Sequence, residues 1–227
     1  MIVSHRHKVC FWKVCRTGSS SIEMVLRLTA RLNYKHDVIA WSEFFPSAFN
    51  MDSVSDRAEG MKGERRAHMT PETAIAEGVL TREQYDKYAH FCITRDPVDR
   101  FISTYTLALR QEQFDANQLI SAHVRPNIAN PLFRPQVDYC TLGNMTALPY
   151  ENFRQSAAEV CRAFKAPVPR RLPRLASRHP KFENRLRAAA TEADRAAIET
   201  FYAADVALYQ QAIAEPVPEP VIVDPYA

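Results

Sequence analysis

Short apolar runs alternate with longer amphipathic runs along most of this chain. Three apolar runs predict buried strands, at residues 8–14, 90–94 and 145–150. Runs with apolar residues every three or four positions predict helices, at residues 19–33, 71–77, 81–88, 97–111, 152–164 and 191–213. Residues 37–41 are a weaker strand candidate. Strands that alternate with helices predict an α/β fold, with a central parallel sheet flanked by helices.

The remaining stretches predict the domain organisation. Residues 42–66 and 112–135 lack a regular pattern, and long irregular regions in a compact protein often carry binding specificity. Prolines recur after Glu215, so the end of the chain is predicted to be extended. We therefore expect one domain over residues 1–214, which is an ordinary domain size, followed by a proline-rich tail at residues 215–227.

The first predicted strand runs directly into a short polar turn. Residues 15–21 read Cys-Arg-Thr-Gly-Ser-Ser-Ser, and a helical pattern begins at Ile22. A strand, a small turn and a helix in this order predict an anion site, because the N–H groups of a helix N-terminus attract negative charge. Gly18 lets the backbone come close to a ligand, and the hydroxyl groups add donors. An ordinary helix N-terminus capped by serine is the alternative that this segment leaves open.

Two common nucleotide loops do not fit the turn. A Walker-type loop needs two glycines followed by lysine and Ser/Thr, whereas this turn has one glycine and no lysine after it. A dinucleotide fingerprint needs three glycines, and the whole chain has only five. The turn is therefore suited to a compact oxyanion that is held without a metal.

A second strand-to-helix junction follows at residues 90–105. Asp96 is placed to cap a helix that has Pro97 at its first position, and Asp99 adds a favourable charge to the first turn. Arg95 lies at the carboxyl end of the strand, and Ser103 lies about two turns along the helix. These two side chains converge on one anion only if the ligand lies along the start of the helix.

Together, the two junctions resemble the cofactor motifs of sulfotransferases that use 3′-phosphoadenosine 5′-phosphosulfate (PAPS). Residues 15–21 are similar to their 5′-phosphosulfate loop, Pro-Lys-Thr-Gly-Ser-Thr-Ser, and residues 95–105 to their 3′-phosphate motif, Arg-Asp-Pro-x-x-Arg-x-x-Ser-x-Tyr. Further segments look like the carbohydrate sulfotransferase branch, at residues 68–72, 85–91, 148–153 and 191–209. The resemblance implies a P-loop-like three-layer fold and an enzyme that transfers a sulfuryl group from PAPS to a carbohydrate hydroxyl, in line and without a metal.

The resemblance also implies which residues bind the cofactor. They are Arg16, Thr17, Gly18, Ser19, Ser20, Ser21, Arg95 and Ser103, with Ser177 and Arg178 from a loop before the last helices. Arg16 stands where most of the family has lysine, and Cys15 where many members have proline. Because arginine gives up a proton poorly, we expect Arg16 to act in catalysis by neutralising the leaving phosphate.

The acceptor hydroxyl must lose a proton, and three residues are candidates for the base. His68 is the first choice, because imidazole titrates near neutrality and because it lies in a segment that resembles the acceptor side of the family. Glu23 and Glu43 are the alternatives. Lys13 is expected to be structural, with a position near the cofactor as the alternative. Arg100 is expected to support the fold or to lie on a helix surface.

Arg95 also has a purely structural alternative, which is a salt bridge with Asp96 or Asp99. A group of basic residues later in the chain is open to two interpretations as well: Arg170, Arg171, Arg174, Arg178, Lys181, Arg185 and Arg187. It is either a solvated face or a rim that attracts an anionic cofactor or glycan. Glu183 is the only acid in that segment.

Charge and cysteine content narrow the partners and the compartment. A net charge of +3 does not by itself indicate nucleic-acid binding. The five cysteines lack metal-binding spacing, and an odd number suits reduced thiols. The N-terminus has no long apolar segment, so we expect neither a signal peptide nor a membrane anchor. Since animal relatives usually carry a Golgi anchor, the resemblance then implies a bacterial, cytoplasmic enzyme.

Two other functions remain open from the sequence. A small nucleotide kinase on a similar scaffold is disfavoured by the absence of the Walker lysine. A protein that binds the nucleotide without turnover is the non-enzymatic alternative, for which Arg16 and Cys15 would mark the loss of activity. The acceptor itself is also open, because polysaccharides, lipid-linked sugars, small metabolites and protein tyrosines all present a hydroxyl group.

Overall fold

The computed structural model describes residues 1–30, 38–39, 68–110, 132–140, 144–173 and 180–215. Its strands are β1 (Ile2–Ser4), β2 (Val9–Trp12), β3 (Val38–Ile39), β4 (Ala89–Thr94) and β5 (Met145–Pro149). Its helices are α1 (Ser19–Thr29), α2 (Pro71–Ala76), α3 (Arg82–Lys87), α4 (Pro97–Arg110), α5 (Phe153–Ala163), α6 (Pro180–Ala189), α7 (Glu192–Phe201) and α8 (Ala203–Ala214). A 3₁₀ turn, Gln136–Tyr139, precedes β5.

The five strands form one sheet in the order β3-β1-β2-β4-β5. The three strands predicted with most support are parallel, with Phe11 of β2 opposite Phe91 of β4, and Cys92 opposite Ala147 of β5. Of the other two strands, β3 lies within the weaker strand candidate at residues 37–41, whereas β1 was not predicted, and β1 is antiparallel to both β2 and β3. β1 has only three residues, which is too short for a periodic signal.

Helices cover both faces of the sheet. Phe11 packs with Leu26 of α1 and Val160 of α5 in one buried cluster. Its neighbour Trp12 packs with Tyr85 of α3 in another. Successive side chains of a strand point to opposite faces, so these two clusters lie on the two sides of the sheet. The structure therefore confirms the three-layer α/β fold, with the carboxyl ends of β2 and β4 side by side.

A third apolar cluster joins the helices beyond the sheet and corrects one prediction. The single helix predicted at residues 191–213 is two helices, α7 and α8, which meet at Tyr202. Tyr202 is buried together with Phe101 of α4, and its hydroxyl donates to the carbonyl of Phe133 at 2.7 Å. A buried tyrosine hydroxyl needs such a partner, and the break in the helix allows Tyr202 to reach it. The sequence pattern also missed α6, which is too rich in charged residues to show an apolar stripe.

The other predicted elements lie at their expected positions, with ends that differ by a few residues. Thr70 and Thr81 cap α2 and α3 as predicted, and their side chains accept hydrogen bonds from the N–H groups of Thr73 and Gln84. β3 confirms the weaker strand candidate. Residues 42–66, residues 112–131 and most of the predicted tail lie outside the described residues. In the described part of the chain, no helix has the length and apolar character needed to cross a membrane.

Candidate functional site

The loop between β2 and α1 is held in shape by its own side chains. The carbonyl oxygen of Val14 accepts hydrogen bonds from Thr17 Oγ1 at 3.0 Å and from Ser19 Oγ at 2.9 Å. In the free protein these two hydroxyl hydrogens are used inside the loop, whereas the sequence suggested them as donors to a ligand. The assignment of Thr17 and Ser19 to the cofactor stays a prediction. What remains at this position are the N–H groups at the start of α1, of which that of Ser21 already donates to the carbonyl of Gly18 at 2.9 Å.

The serines of the loop do not cap α1. Gly18 is the N-cap residue, and no side chain caps the helix within the described residues. The ordinary serine cap, which the sequence left open, is therefore not present. An uncapped helix N-terminus keeps its partial positive charge available to an anion.

Gly18 is required by the geometry of the loop. Its φ angle is 75°, in the left-handed region. A Cβ atom there would lie 2.7 Å from Cε2 of Phe153 and 3.1 Å from Cε2 of Tyr150. Both the backbone conformation and the two aromatic rings, which follow β5, exclude a side chain.

Arg16 links the two sequence motifs directly. Its Nε and Nη2 atoms donate to Ser103 Oγ, at 3.1 Å and 2.8 Å. Its own φ angle is 63°, an uncommon value for a residue other than glycine. Burial lowers the pKa of Arg16, but an arginine remains charged at physiological pH. The loop after β2 and the helix after β4 thus meet at one guanidinium group.

The guanidinium group of Arg95 lies beside that of Arg16. Its Nη1 atom donates to the carbonyl of Arg16 at 3.3 Å, and its Nη2 atom to Glu183 Oε1 at 3.2 Å. Its Cζ atom lies 4.7 Å from the centre of the Tyr150 ring, a distance typical of cation–π contacts. Its Nε atom is buried and has no hydrogen-bond partner among the described residues.

The salt bridge expected as the structural alternative for Arg95 is not formed. Asp96 Oδ1 accepts the N–H of Asp99 at 2.9 Å, and Asp99 accepts Nε of Arg187 at 2.7 Å. Neither carboxylate therefore pairs with Arg95 in the contacts of the described residues. Its acidic partner is Glu183 of α6, the one acid of the basic segment.

Gln136 is a residue of the site that sequence reasoning missed. Its Oε1 atom accepts the N–H of Arg95, and its Nε2 atom donates to the carbonyl of Arg95, both at 2.9 Å. Gln136 is fully buried, and its own N–H donates to Asp205 at 2.8 Å. Nothing in a single sequence marks it, because it follows a stretch without regular pattern.

Arg100 supports the fold, as one of the two expectations for it had stated. It is buried and forms an ion pair with Asp205 at 3.5 Å. Burial raises the pKa of Asp205, although Arg100 acts in the opposite direction. The pair ties α4 to α8 behind the Arg95 strand end.

His68 lies against the loop after β2. Its Nδ1 atom lies 2.8 Å from the carbonyl oxygen of Lys13, which only accepts, so Nδ1 carries a hydrogen. Neutral His68 therefore has its lone pair on Nε2, which lies 3.8 Å from Sγ of Cys15. Burial alone would raise the pKa of Cys15, but His68 and Arg16 beside it lower the pKa below its ordinary value.

The two alternative bases have different outcomes. Glu23 is fully buried and paired with Lys13 and with Arg27, the latter at 2.7 Å. Burial opposes its ionisation, yet these two cations lower the pKa of Glu23 below its ordinary value. Glu23 is therefore part of a buried ion pair and not a base open to a substrate, and Lys13 has the structural role expected for it. Glu43 lies outside the described residues, as do Ser177 and Arg178.

Ser20 and Ser21 begin α1 next to this site, and Ser21 donates its N–H to the carbonyl of Gly18 at 2.9 Å. The structure thus brings together the loop after β2, Arg95, Ser103 and His68. One half-buried and one buried guanidinium group lie together with a helix N-terminus, and the buried one binds a carboxylate. Their positive charge favours an anion, at the carboxyl ends of parallel strands where α/β folds place their ligands.

A strand-to-helix junction of this kind is typical of α/β proteins that bind phosphorylated ligands. The comparison with known families is more specific: the sulfotransferase family matches residues 1–211, so this chain belongs to the sulfotransferase family. That membership supports sulfuryl transfer as its reaction.

A solved structure is also similar to this chain, at low sequence identity. The crystal structure of a sulfotransferase from Alicyclobacillus acidocaldarius is 17% identical in sequence, with a TM-score of 0.42, and the match covers 88% of this chain and 98% of that one. Among curated proteins, none matches the chain closely enough to count as a relative.

Proposed function

We propose that this protein transfers a sulfuryl group from PAPS to a hydroxyl group of a carbohydrate. The observation that carries the proposal is the contact between the two motifs, in which Arg16 donates to Ser103 and Arg95 lies against Arg16. Two motifs from different strands therefore build one pocket. Family membership supports the reaction, and the sequence resemblance supports PAPS as donor and a carbohydrate as acceptor.

The residues of the pocket fit an anionic nucleotide. Arg95 has a buried Nε atom without a partner among the described residues, so its guanidinium group has a donor left for an oxyanion. Its Nη2 atom already binds the carboxylate of Glu183, which supports an anion as the partner of this guanidinium group. We assign Arg95 and Ser103 to the 3′-phosphate. Thr17, Gly18, Ser19, Ser20 and Ser21 are assigned to the 5′-phosphosulfate, chiefly through the N–H groups of the first turn of α1.

The proposed role of Arg16 is to stabilise charge. When bound, the nucleotide supplies the sulfuryl group, which passes in line to the acceptor oxygen as negative charge develops on the 5′-phosphate. Arg16 and the N-terminus of α1 are positioned around this charge, and such preorganised donors lower the barrier. Because Arg16 keeps its proton, it contributes charge and not acid catalysis.

His68 is the base in this proposal. A new bond forms between the acceptor oxygen and sulfur, the bond between sulfur and the phosphate oxygen breaks, and the proton of the hydroxyl passes to His68. The hydrogen on Nδ1 is fixed by the Lys13 carbonyl, which leaves Nε2 to receive a proton. In the free protein Nε2 lies 3.8 Å from Sγ of Cys15, a weak thiol donor that the acceptor hydroxyl would replace.

The five cysteines are unbridged, which suits a reducing compartment, and we propose the cytoplasm as the location. The reaction is tested by transfer of radiolabelled sulfate from PAPS to a panel of glycans, with the exposed Arg82→Ala variant on α3 as the control for Arg16→Ala. We expect transfer by the parent protein and by the control, and a loss of at least about 100-fold for Arg16→Ala.

No transfer to any acceptor, with nucleotide binding intact, would instead support the nucleotide-binding protein without turnover. Equal rates for Arg16→Ala and Arg82→Ala would contradict the role given to Arg16. Transfer to small phenols or tyrosine peptides alone would retain the sulfotransferase and overturn the carbohydrate acceptor.

A further inference from the structure

The carboxylate of Glu183 lies among the groups that we propose for the 3′-phosphate. Its Oε1 atom accepts from Arg95 Nη2 at 3.2 Å, and its Oε2 atom accepts from Ser103 Oγ at 3.3 Å. Arg187, one helical turn later, donates to the same Oε1 atom at 3.4 Å. The two oxygens thus bind the two donors of the second motif in the way that a phosphate would.

A carboxylate and a phosphate cannot share these donors. Each guanidinium or hydroxyl hydrogen donates chiefly to one acceptor, and two anions a few ångströms apart repel each other, most strongly where little water separates them. Glu183 is only 19% exposed and Arg95 only 10%, so their ion pair is largely shielded. A nucleotide that carries a 3′-phosphate must therefore displace the carboxylate of Glu183.

The helix that carries Glu183 need not move for this exchange. Arg187 is bound to Asp99 of α4 through its Nε atom at 2.7 Å, which holds α6 against α4. Glu183 is partly exposed, so rotation about its side-chain bonds can move the carboxylate from the pocket toward water. Arg187 remains to pair with it or with the incoming phosphate.

We propose that Glu183 is an internal competitor for the 3′-phosphate. Its carboxylate occupies the Arg95–Ser103 position in the free protein and weakens the binding of every nucleotide that carries a 3′-phosphate, donor and product alike. This inference rests on the proposed function. It gives a role to the single acid of a segment in which the other charged residues are basic.

Calorimetry with two nucleotides tests this role. Adenosine 3′,5′-bisphosphate carries the 3′-phosphate, and adenosine 5′-monophosphate lacks it. Glu183→Gln removes the charge with little change in shape, and Glu199→Gln removes the same charge from an exposed position on α7. We expect Glu183→Gln to bind the bisphosphate about tenfold more tightly, the size of one charge-assisted hydrogen bond. Binding of the monophosphate should be the same in the parent protein and both variants.

The possible results separate this inference from the function on which it rests. If neither the parent protein nor Glu183→Gln binds the bisphosphate, the proposed function fails. If the parent protein binds it, and Glu183→Gln binds it equally or more weakly, only the role of Glu183 as a competitor is overturned. An equal gain for both nucleotides, or for Glu199→Gln, would also overturn it. Glu183→Ala, checked for folding by thermal unfolding, should repeat the gain seen with glutamine.

Discussion

Replacing Gln136 with methionine tests how the pocket is supported. Methionine has a similar length and no branch, so it fills the space of glutamine with little strain. The substitution leaves the N–H and the carbonyl of Arg95 without the two 2.9 Å hydrogen bonds that Gln136 makes. Each buried group left unpaired costs about 1–3 kcal/mol, so we expect the free energy of unfolding to fall by about 2–6 kcal/mol. Domains are typically stable by about 5–15 kcal/mol, so this loss is large.

Urea denaturation followed by circular dichroism measures this change. Gln210→Met is the matched control, since Gln210 is exposed on α8, and it should change the free energy of unfolding by less than about 0.5 kcal/mol. A loss below about 1 kcal/mol for Gln136→Met would refute the argument, because water or a neighbouring group would then satisfy the Arg95 backbone. At a temperature where the variant is folded, we also expect its affinity for adenosine 3′,5′-bisphosphate to fall below that of the parent protein. Its affinity for adenosine 5′-monophosphate should fall less.

Two further predictions follow from the loop after β2. Gly18→Ala places a Cβ atom 2.7 Å from the ring of Phe153 at a φ of 75°, so we expect a loss of about 1–3 kcal/mol in urea denaturation, and an unchanged stability would contradict the fixed loop conformation. Glu23→Gln tests the buried ion pair with Lys13. A carboxylate whose folded pKa is lowered stabilises the protein above the unfolded pKa of about 4.3 and loses that effect as the pH falls through the folded pKa. The stability difference between the parent protein and Glu23→Gln should therefore be full at neutral pH and shrink below about pH 4. Denaturant titrations between pH 7 and pH 3 measure this difference. If it stays constant over that range, the lowered pKa of Glu23 is not its cause.

The sequence predicted the sheet well where strand and motif coincide. β2 and β4 are apolar runs that end at a charged or polar junction, and parallel strands with helices on both faces follow from that pattern. β1 and α6 were missed for two different reasons. A strand of three residues has no measurable period, and the polar composition of α6 hides its half-buried side, which includes Glu183.

The sequence predicted which residues belong to the candidate site more easily than which contacts they make. Arg16, Arg95 and Ser103 follow from local motifs, and the structure places them together. The sequence could not show that Thr17 and Ser19 would donate their hydroxyl hydrogens to Val14, because a hydroxyl rotates to whichever acceptor is nearest. Which acceptor is nearest depends on distances in the folded protein.

Long-range partners were the least predictable part. Gln136 is hydrogen-bonded to Arg95 although the two lie 41 residues apart in the sequence, and Glu183 is bonded to Arg95 at a separation of 88 residues. No spacing rule connects residues so far apart, and neither residue has an unusual neighbourhood in the sequence apart from the basic segment around Glu183. For the same reason, Glu23 looked like a possible base until its two cationic partners were visible in the fold.

The central claim is that Arg95, at the end of β4, holds the 3′-phosphate of the nucleotide. Calorimetric binding of adenosine 3′,5′-bisphosphate to the parent protein, to Arg95→Ala and to the exposed control Arg82→Ala tests it most directly. We predict micromolar binding by the parent protein and the control, and a loss of about 100-fold or more for Arg95→Ala, with binding of adenosine 5′-monophosphate little changed. Equal affinity of Arg95→Ala and Arg82→Ala for the bisphosphate would contradict the claim.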